Sequence, residues 1–469
     1  MHEVFDVLVL GSGPSGQKAA LHAAMAGKRV ALVEELPGVG GACVHSGTIP
    51  SKTLRETALH LASFRERSGG VIDLALGEDV QVQSLMTRLQ EVIEGHVRVV
   101  DGALARAGVH VFHGRGRFDS PHEVSVQSPA GKAERLRAHL FVIATGSRPR
   151  TPEEIPVDHE NILDSDSILS MIYLPRSLVV LGAGVIASEY ASIFAALGVQ
   201  VTLVDRGARP MPFLDPELTD RFLAHFARRG GKYLGNAKVK DVAFDGVSAV
   251  ETTLESGERL VADKVLCALG RVANLLPLNL DAAGLRATPR GLLEVDAHCR
   301  TSVPHIYAVG DVIGPPSLAS AAVEQGRRAM CHAFSLDPGP PASTVPMGVY
   351  TIPEMSTVGL SEAEAREKDP NVLVGRAPFD EVARGLINGA HEGLLKLVAD
   401  SAGRRLLGAH VVGEGATEIV HIAQMALLHG ASIDVFVENI FNFPTLAEAY
   451  RVAALDLVAQ RRSLLNKVQ

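Results

Sequence analysis

Residues 4–35 read VFDVLVLGSGPSGQKAALHAAMAGKRVALVEE, and three patterns follow one another in that stretch. The run VFDVLVL is short, apolar and rich in valine, which predicts a buried strand. Gly11, Gly13 and Gly16 then stand at GxGxxG spacing, opening a segment that reads as helix over residues 14–26. Residues 29–34 (RVALVE) return to strand and close on Glu34, with Glu35 beside it. A glycine turn between strand and helix lets a pyrophosphate approach the backbone, and the helix N-terminus offers free N–H groups. An acid about 20 residues on accepts from a ribose diol. A plain glycine turn is the bland alternative, but the strand before and the helix after favour a βαβ dinucleotide-binding unit with Gly11, Gly13, Gly16, Glu34 and Glu35 at the ligand.

The same grammar recurs from residue 177: SLVVLGAG, an amphipathic stretch to Leu197, then QVTLVD ending on Asp205. Gly182, Gly184 and Ala187 take the three glycine positions, and alanine at the third still permits close helix packing. Ile186 stands in the same turn. An acid at Asp205 favours the unphosphorylated ribose of NAD, whereas Arg206 and Arg209 either pair with a 2′-phosphate or are solvated loop residues. On NAD against NADP the sequence points both ways. Two dinucleotide folds in one chain imply hydride transfer between a bound flavin and a visiting nicotinamide.

A third segment decides which chemistry. Residues 40–52, GGACVHSGTIPSK, resemble the redox-active segment of the pyridine nucleotide-disulfide oxidoreductases, in which two cysteines stand at CxxxxC spacing next to the flavin. Here the positions are Cys43 and Thr48. A dithiol relay needs two sulfurs, so a lone thiol cannot cycle. The C-terminus agrees, because that family carries His-Pro-Thr-x-x-Glu and this chain has Phe443-Pro444-Thr445-Leu446-Ala447-Glu448. Phenylalanine carries no proton. Cys43 and His45 could form an activated pair, but with no second sulfur the favoured reading is a packed thiol and a loop histidine.

The combination of GACVHSGTIPSK (41–52), GAGVIASEYASIF (182–194), GDVIGPPSLASAA (310–322) and FNFPTLAEAYRVAAL (441–455) closely resembles the soluble pyridine nucleotide transhydrogenase branch of that family. The resemblance implies an α/β chain with two Rossmann-like domains of the glutathione-reductase type and a C-terminal α+β dimerisation domain. Residues 1–150 and 271–343 would bind FAD, 151–270 NAD(P), and 344–469 would form the interface of a homodimer or higher homo-oligomer. FAD is expected tightly bound, one per subunit, with NAD and NADP as substrates exchanging hydride in ping-pong order through flavin N5. Carried over residue by residue, Gly310-Asp311 would meet the ribityl chain. The helix opening at Leu318-Ala319-Ser320 would face the flavin pyrimidine, and Lys52 and Glu189 would pair beside N5 as the catalytic residues. Ala144-Thr145-Gly146 and Gly270-Arg271 match the two domain-crossing turns. Lys52 could otherwise be an ordinary helix-start lysine. Val185 stands where some relatives have a tyrosine over the nicotinamide pocket. Two other readings use the same motifs: an NAD(P)H diaphorase or oxidase serving quinone-like acceptors, and a non-catalytic nicotinamide-sensing flavoprotein.

The remaining features bound this reading. A chain of 469 residues, 46% hydrophobic and 21% charged, has room for about three domains. Its net charge of −8 argues against general nucleic-acid affinity. Cys43, Cys267, Cys299 and Cys331 show no metal-ligand spacing and suit a reducing compartment, and the eighteen histidines show no ligand motif, so no metal is expected. The N-terminus lacks a basic leader and residues 177–204 carry Glu189 mid-run, so a cytoplasmic chain with no membrane span is expected. Proline-rich residues 148–160 and 335–346 read as linkers.

Overall fold

The computed structural model describes residues 4–67 and 82–468. Strand β1 (Val4–Leu10) runs into helix α1 (Pro14–Met25) and returns as β2 (Val30–Glu34), parallel to β1 with Leu10 beside Val33. Parallel strands covered on both faces carry continuous apolar runs rather than alternation, and β2 is buried at every residue. Helices α2 (Gly41–His45), α3 (Thr48–Arg67) and α4 (Val82–Arg106) follow. Then β3 (His110–His113) pairs with β2, and β4 (Arg115–Ser120), β5 (Glu123–Gln127) and β6 (Ala133–Ile143) form a meander. Strand β6 lies parallel to β1 on its other side. The chain leaves this domain through the short strand β7 (Ser147–Pro149).

The second domain contains β8 (Ile162–Asp164), β9 (Ser177–Leu181), α5 (Val185–Ala196), β10 (Gln200–Val204), α6 (Pro216–Arg228) and β11 (Lys232–Leu234). The strand-like stretch 237–271 resolves into a meander of β12 (Val239–Phe244), β13 (Val250–Leu254) and β14 (Arg259–Ala262), followed by β15 (Lys264–Cys267). The parallel sheet runs β11-β10-β9-β15-β8. Strand β16 (Arg271–Ala273) returns antiparallel to β7, with Arg271 opposite Pro149. Strand β17 (Ile306–Ala308) rejoins the first sheet beside β6. Helix α7 (Ala319–Ala333) packs on α1 so closely that a Cβ added to Gly326 would lie 2.3 Å from the Ser15 carbonyl oxygen.

The third region contains β18 (Met347–Val349), β19 (Met355–Gly359), α8 (Glu362–Lys368), β20 (Leu373–Pro378), α9 (Ala383–Asn388), β21 (Leu394–Ala399) and β22 (Leu406–Val412). It ends with α10 (Ala416–Leu428), α11 (Asp434–Glu438) and α12 (Glu448–Val468). Its antiparallel sheet runs β18-β19-β22-β21-β20. The run VYTI reads as strand, yet the strand stops at Val349. The N–H of Tyr350 donates to Glu189 Oε1 and that of Ile352 to Ser192 Oγ, both on α5, and Pro353 has no N–H to give.

Two charge clusters fasten this region to the others. Arg55 of α3, 1% exposed, donates to the Thr351 carbonyl and pairs with Glu56, Glu354 and Glu414. Lys396 of β21 pairs with Asp215 and Glu217 at the head of α6 and with Glu362 of α8, at 2.8, 3.2 and 2.8 Å. Buried charge survives only when matched in this way. No described helix is long and apolar enough to cross a membrane.

Candidate active site

The two glycine turns have the same construction. Gly11 adopts φ +100°, and an added Cβ would lie 2.4 Å from the Ala144 carbonyl oxygen; on Gly16 it would lie 2.0 Å from that of Gly11. Gly13 between them faces open space. In the second copy Gly182, at φ +96°, is closed by the Ala268 carbonyl at 2.8 Å, while Gly184 faces open space. Helices α1 and α5 both begin with no side-chain cap and no acid in the first turn. Open backbone below an uncapped helix start is the donor set a diphosphate requires. Val185 and Ile186, half-buried, open α5.

The acid closing each unit does a second job that GxGxxG spacing does not reveal. Glu34 accepts from the Ser12 N–H at 3.0 Å, from the Ser12 hydroxyl, and from the Leu36 N–H at 2.8 Å. Asp205 accepts from the Ala183 N–H at 2.9 Å and the Gly207 N–H at 2.7 Å. Each carboxylate thus ties its glycine turn to the chain beyond the strand, and with two oxygens it retains lone pairs for a ribose. Glu35 is placed differently: it is exposed and paired with Arg115 of β4. Arg206 is exposed, and Arg209 pairs with Asp220 of α6.

The crossing turns are stitched together. Thr145 Oγ1 donates to the Asn274 carbonyl at 2.8 Å, and the Asn274 N–H donates to the Gly146 carbonyl at 2.9 Å. Ser147 Oγ donates to Asp311, and Arg271 donates to Ser147 Oγ and to its carbonyl at 2.8 and 2.7 Å. Gly270 adopts φ +101° just before that arginine. The Gly310 N–H donates to Gln325 Oε1 at 2.8 Å, which fixes Asp311 against α7. Helix α7 itself starts after Leu318, through Ala319 and Ser320, with no side-chain cap and no acid in its first turn. Asp166, beside Arg271, has its carboxyl held above the ordinary value by burial and by Asp164.

Lys52 Nζ stands 2.7 Å from Glu189 Oε2, and Glu189 is nearly buried on α5. The pair spans the two dinucleotide folds. Tyr350 completes it from the third region: its N–H holds Glu189 Oε1 at 2.9 Å and its ring lies 4.9 Å from Lys52 Nζ. Sequence reasoning missed Tyr350, because a Val-Tyr-Thr run looks like ordinary strand.

All four cysteines are unpaired. Cys43 is half-buried, and burial pushes its thiol up despite the opposing influence of Thr48 and Lys52. His45 contacts the Gly38 and Val39 carbonyls at 3.0 and 3.1 Å through Nε2. Iodoacetamide should therefore alkylate Cys43 more slowly than a free thiol at neutral pH, the rate rising only above the ordinary thiol pKa. Fast neutral-pH alkylation, followed by mass spectrometry, would contradict this environment. Phe443 is 74% exposed, and Glu448 Oε2 is buried with no hydrogen-bond partner among the described residues.

The family model described as pyridine nucleotide-disulphide oxidoreductase matches residues 5–326, and its dimerisation domain matches 345–454. A soluble pyridine nucleotide transhydrogenase from Mycobacterium bovis is 42% identical over 461 residues, 98% of each chain. One from Hahella chejuensis is 42% identical, covering 96% of this chain and 98% of its own. Among solved structures, LpdA from Mycobacterium tuberculosis aligns with TM-score 0.88 at 27% identity, covering 96% of this chain and 99% of that one. The flavoprotein disulfide reductase RclA from Escherichia coli aligns at 0.86 and 25% identity, again over 96% and 99%.

Proposed function

Since the chain belongs to the pyridine nucleotide-disulphide oxidoreductases, we propose that it is a transhydrogenase, moving hydride between NADPH and NAD+ through bound FAD without a redox-active disulfide. Bound FAD would supply a ring that accepts hydride from one nicotinamide and returns it to the next, giving ping-pong exchange at a single site. The Gly11–Gly16 turn and the start of α1 would hold its diphosphate, Glu34 its adenosine ribose and Asp311 its ribityl chain. The free N–H groups at the head of α7 would receive the negative end of the ring system. The Gly182–Ala187 turn and Asp205 would hold the nicotinamide nucleotide.

Lys52 keeps a positive charge at the junction of the two folds, and Glu189 and Tyr350 keep it pointed there. The observation that carries the proposal is that threonine, Thr48, stands where a thiol relay with Cys43 would need its second sulfur. A thiol relay requires a second sulfur and a proton carrier, and this chain has threonine at one position and phenylalanine at the other. In the same oxidation state NAD and NADP differ only at the 2′-position of the adenosine ribose, remote from the nicotinamide, so one near-attack placement of the ring would serve both. The relatives bearing the transhydrogenase name support the same reading.

A homodimer fits the matched dimerisation domain. Met425, Leu428, Ile440 and Phe443 are exposed there, Ile440 at 95%, as expected of an apolar face that a second copy covers.

The test is anaerobic. The flavin-loaded protein, given NADPH and a thionicotinamide analogue of NAD, should reduce the analogue rapidly with no third acceptor present. Reduced flavin with an unreduced analogue would favour quinone-like acceptors instead and would overturn the transhydrogenase reading.

A further inference from the structure

We propose that Asp220 sets the balance between phosphorylated and unphosphorylated nicotinamide nucleotides, by holding Arg209 in an ion pair that a 2′-phosphate has to displace. The inference rests on the second glycine turn being the nicotinamide nucleotide site. Four charges gather after β10. Asp205 is bound to two backbone N–H groups of its own turn. Arg206 is exposed, with no ion pair or hydrogen bond among the described residues. Arg209 directs Nη1 to Asp220 Oδ1 on α6 and to the Pro216 carbonyl at 3.4 Å. Two acids and two guanidinium groups leave the rim of the site neutral on balance.

The backbone around Arg209 is fixed independently of that pair. The Met211 N–H donates to the Ala183 carbonyl at 3.0 Å, holding the loop against the glycine turn. The Tyr233 hydroxyl and the Asn236 N–H both donate to the Gly207 carbonyl, at 2.9 and 3.0 Å. At the far end Asp215, 2% exposed, caps α6 through the Glu217 N–H and is held by Lys396. Discrimination at this rim is therefore a matter of where one side chain points, with the loop staying in place.

Arg209 and Asp220 are 46% and 56% exposed, so water competes with their pair and it is weak. A nucleotide without a 2′-phosphate leaves the pair intact. A 2′-phosphate takes the guanidinium by a stronger charge-assisted contact and releases Asp220 to solvent. Asp220 thereby lowers the advantage that two arginines would give the phosphorylated nucleotide. A protein that must bind both forms in turn at one site requires such near-equality.

The experiment uses the full-length, flavin-loaded protein and two non-reducing probes, ADP-ribose and 2′-phospho-ADP-ribose, titrated calorimetrically. Asp220→Asn should shift the ratio of the two dissociation constants about two- to five-fold toward the phosphorylated probe. Asp220→Glu should restore the wild-type ratio. In an Arg209→Ala background Asp220→Asn should leave the ratio where Arg209→Ala alone puts it. A ratio unmoved in Asp220→Asn, or moved equally without Arg209, would overturn the proposal while leaving the site reading standing. If neither probe binds the wild type, the site reading fails and takes the proposal with it.

Discussion

Lys52→Met will slow the reduction of bound flavin by NADPH about a hundredfold, the scale on which an active site loses rate when one preorganised charge is removed. Lys52 is held at 2.7 Å by Glu189, itself fixed by the Tyr350 N–H, so its ammonium has little freedom to relax elsewhere. Methionine keeps most of the side-chain volume and the packing on the Tyr350 ring, which separates lost charge from lost shape. Stopped-flow absorbance of the flavin under single-turnover conditions reads the step directly. Reduction at the wild-type rate would show that Lys52 is an ordinary helix-start lysine, as its sequence position alone allows.

Lys396→Met should destabilise the fold by about 3–5 kcal/mol, the usual consequence of breaking a buried ion pair from one side. Lys396 and Asp215 have side chains only 4% and 1% exposed, and removing the cation leaves Asp215 unmatched beside Glu217 and Glu362. The thermal midpoint of the flavin-loaded protein should fall, and the Asp215→Asn, Lys396→Met double variant should recover much of the loss. A single variant melting at the wild-type temperature would contradict the burial.

The same cluster has a pH signature. Burial would raise the Glu362 carboxyl, but hydrogen bonds from Lys396 and Arg366 outweigh it and hold the group down at about 2, against an ordinary value of 4.5. A depressed folded-state pKa contributes stability that is present above 4.5 and is lost as pH falls toward about 2. Without Lys396 that contribution should shrink, so acid denaturation of the variant should depend less steeply on pH across this window.

These two lysines differ in how far a sequence can expose them. The glycine turns are legible because close approach of Ala144 to Gly11, or of Ala268 to Gly182, excludes any side chain, and that exclusion repeats along the chain at readable spacing. Lys52 is legible through its neighbourhood, GTIPSK. Lys396 is not. It stands in LLKLVA, where a lone charge looks like the outward residue of an alternating strand, yet all six residues of β21 are buried. Its partners come from α6 and α8, and no local pattern announces that three separated carboxylates share one cation. Asp220 was hidden for a related reason, since on a charged helix face one more acid carries no mark. The double duty of Glu34 and Asp205 shows only in the folded chain, because motif spacing locates an acid without saying which N–H groups it already holds.

The clasp of β7 and β16 has a consequence for how such a protein can be rebuilt. The chain departs at Pro149 and returns at Arg271, directly opposite it in the same small ladder. Everything between is an insertion whose two ends meet, so it can be lifted out and exchanged as a cassette without cutting the first sheet. A replacement cassette would need to keep the docking groups that the rest of the chain meets: a carboxylate for Lys52, two at the head of α6 for Lys396, a hydroxyl at Ser192 for the Ile352 N–H, and the Arg221, His225 and Arg228 face of α6 that holds Glu392. Chimaeras keeping those residues would exchange the second glycine turn and its rim as a single part, while the first sheet and the third region stay as they are.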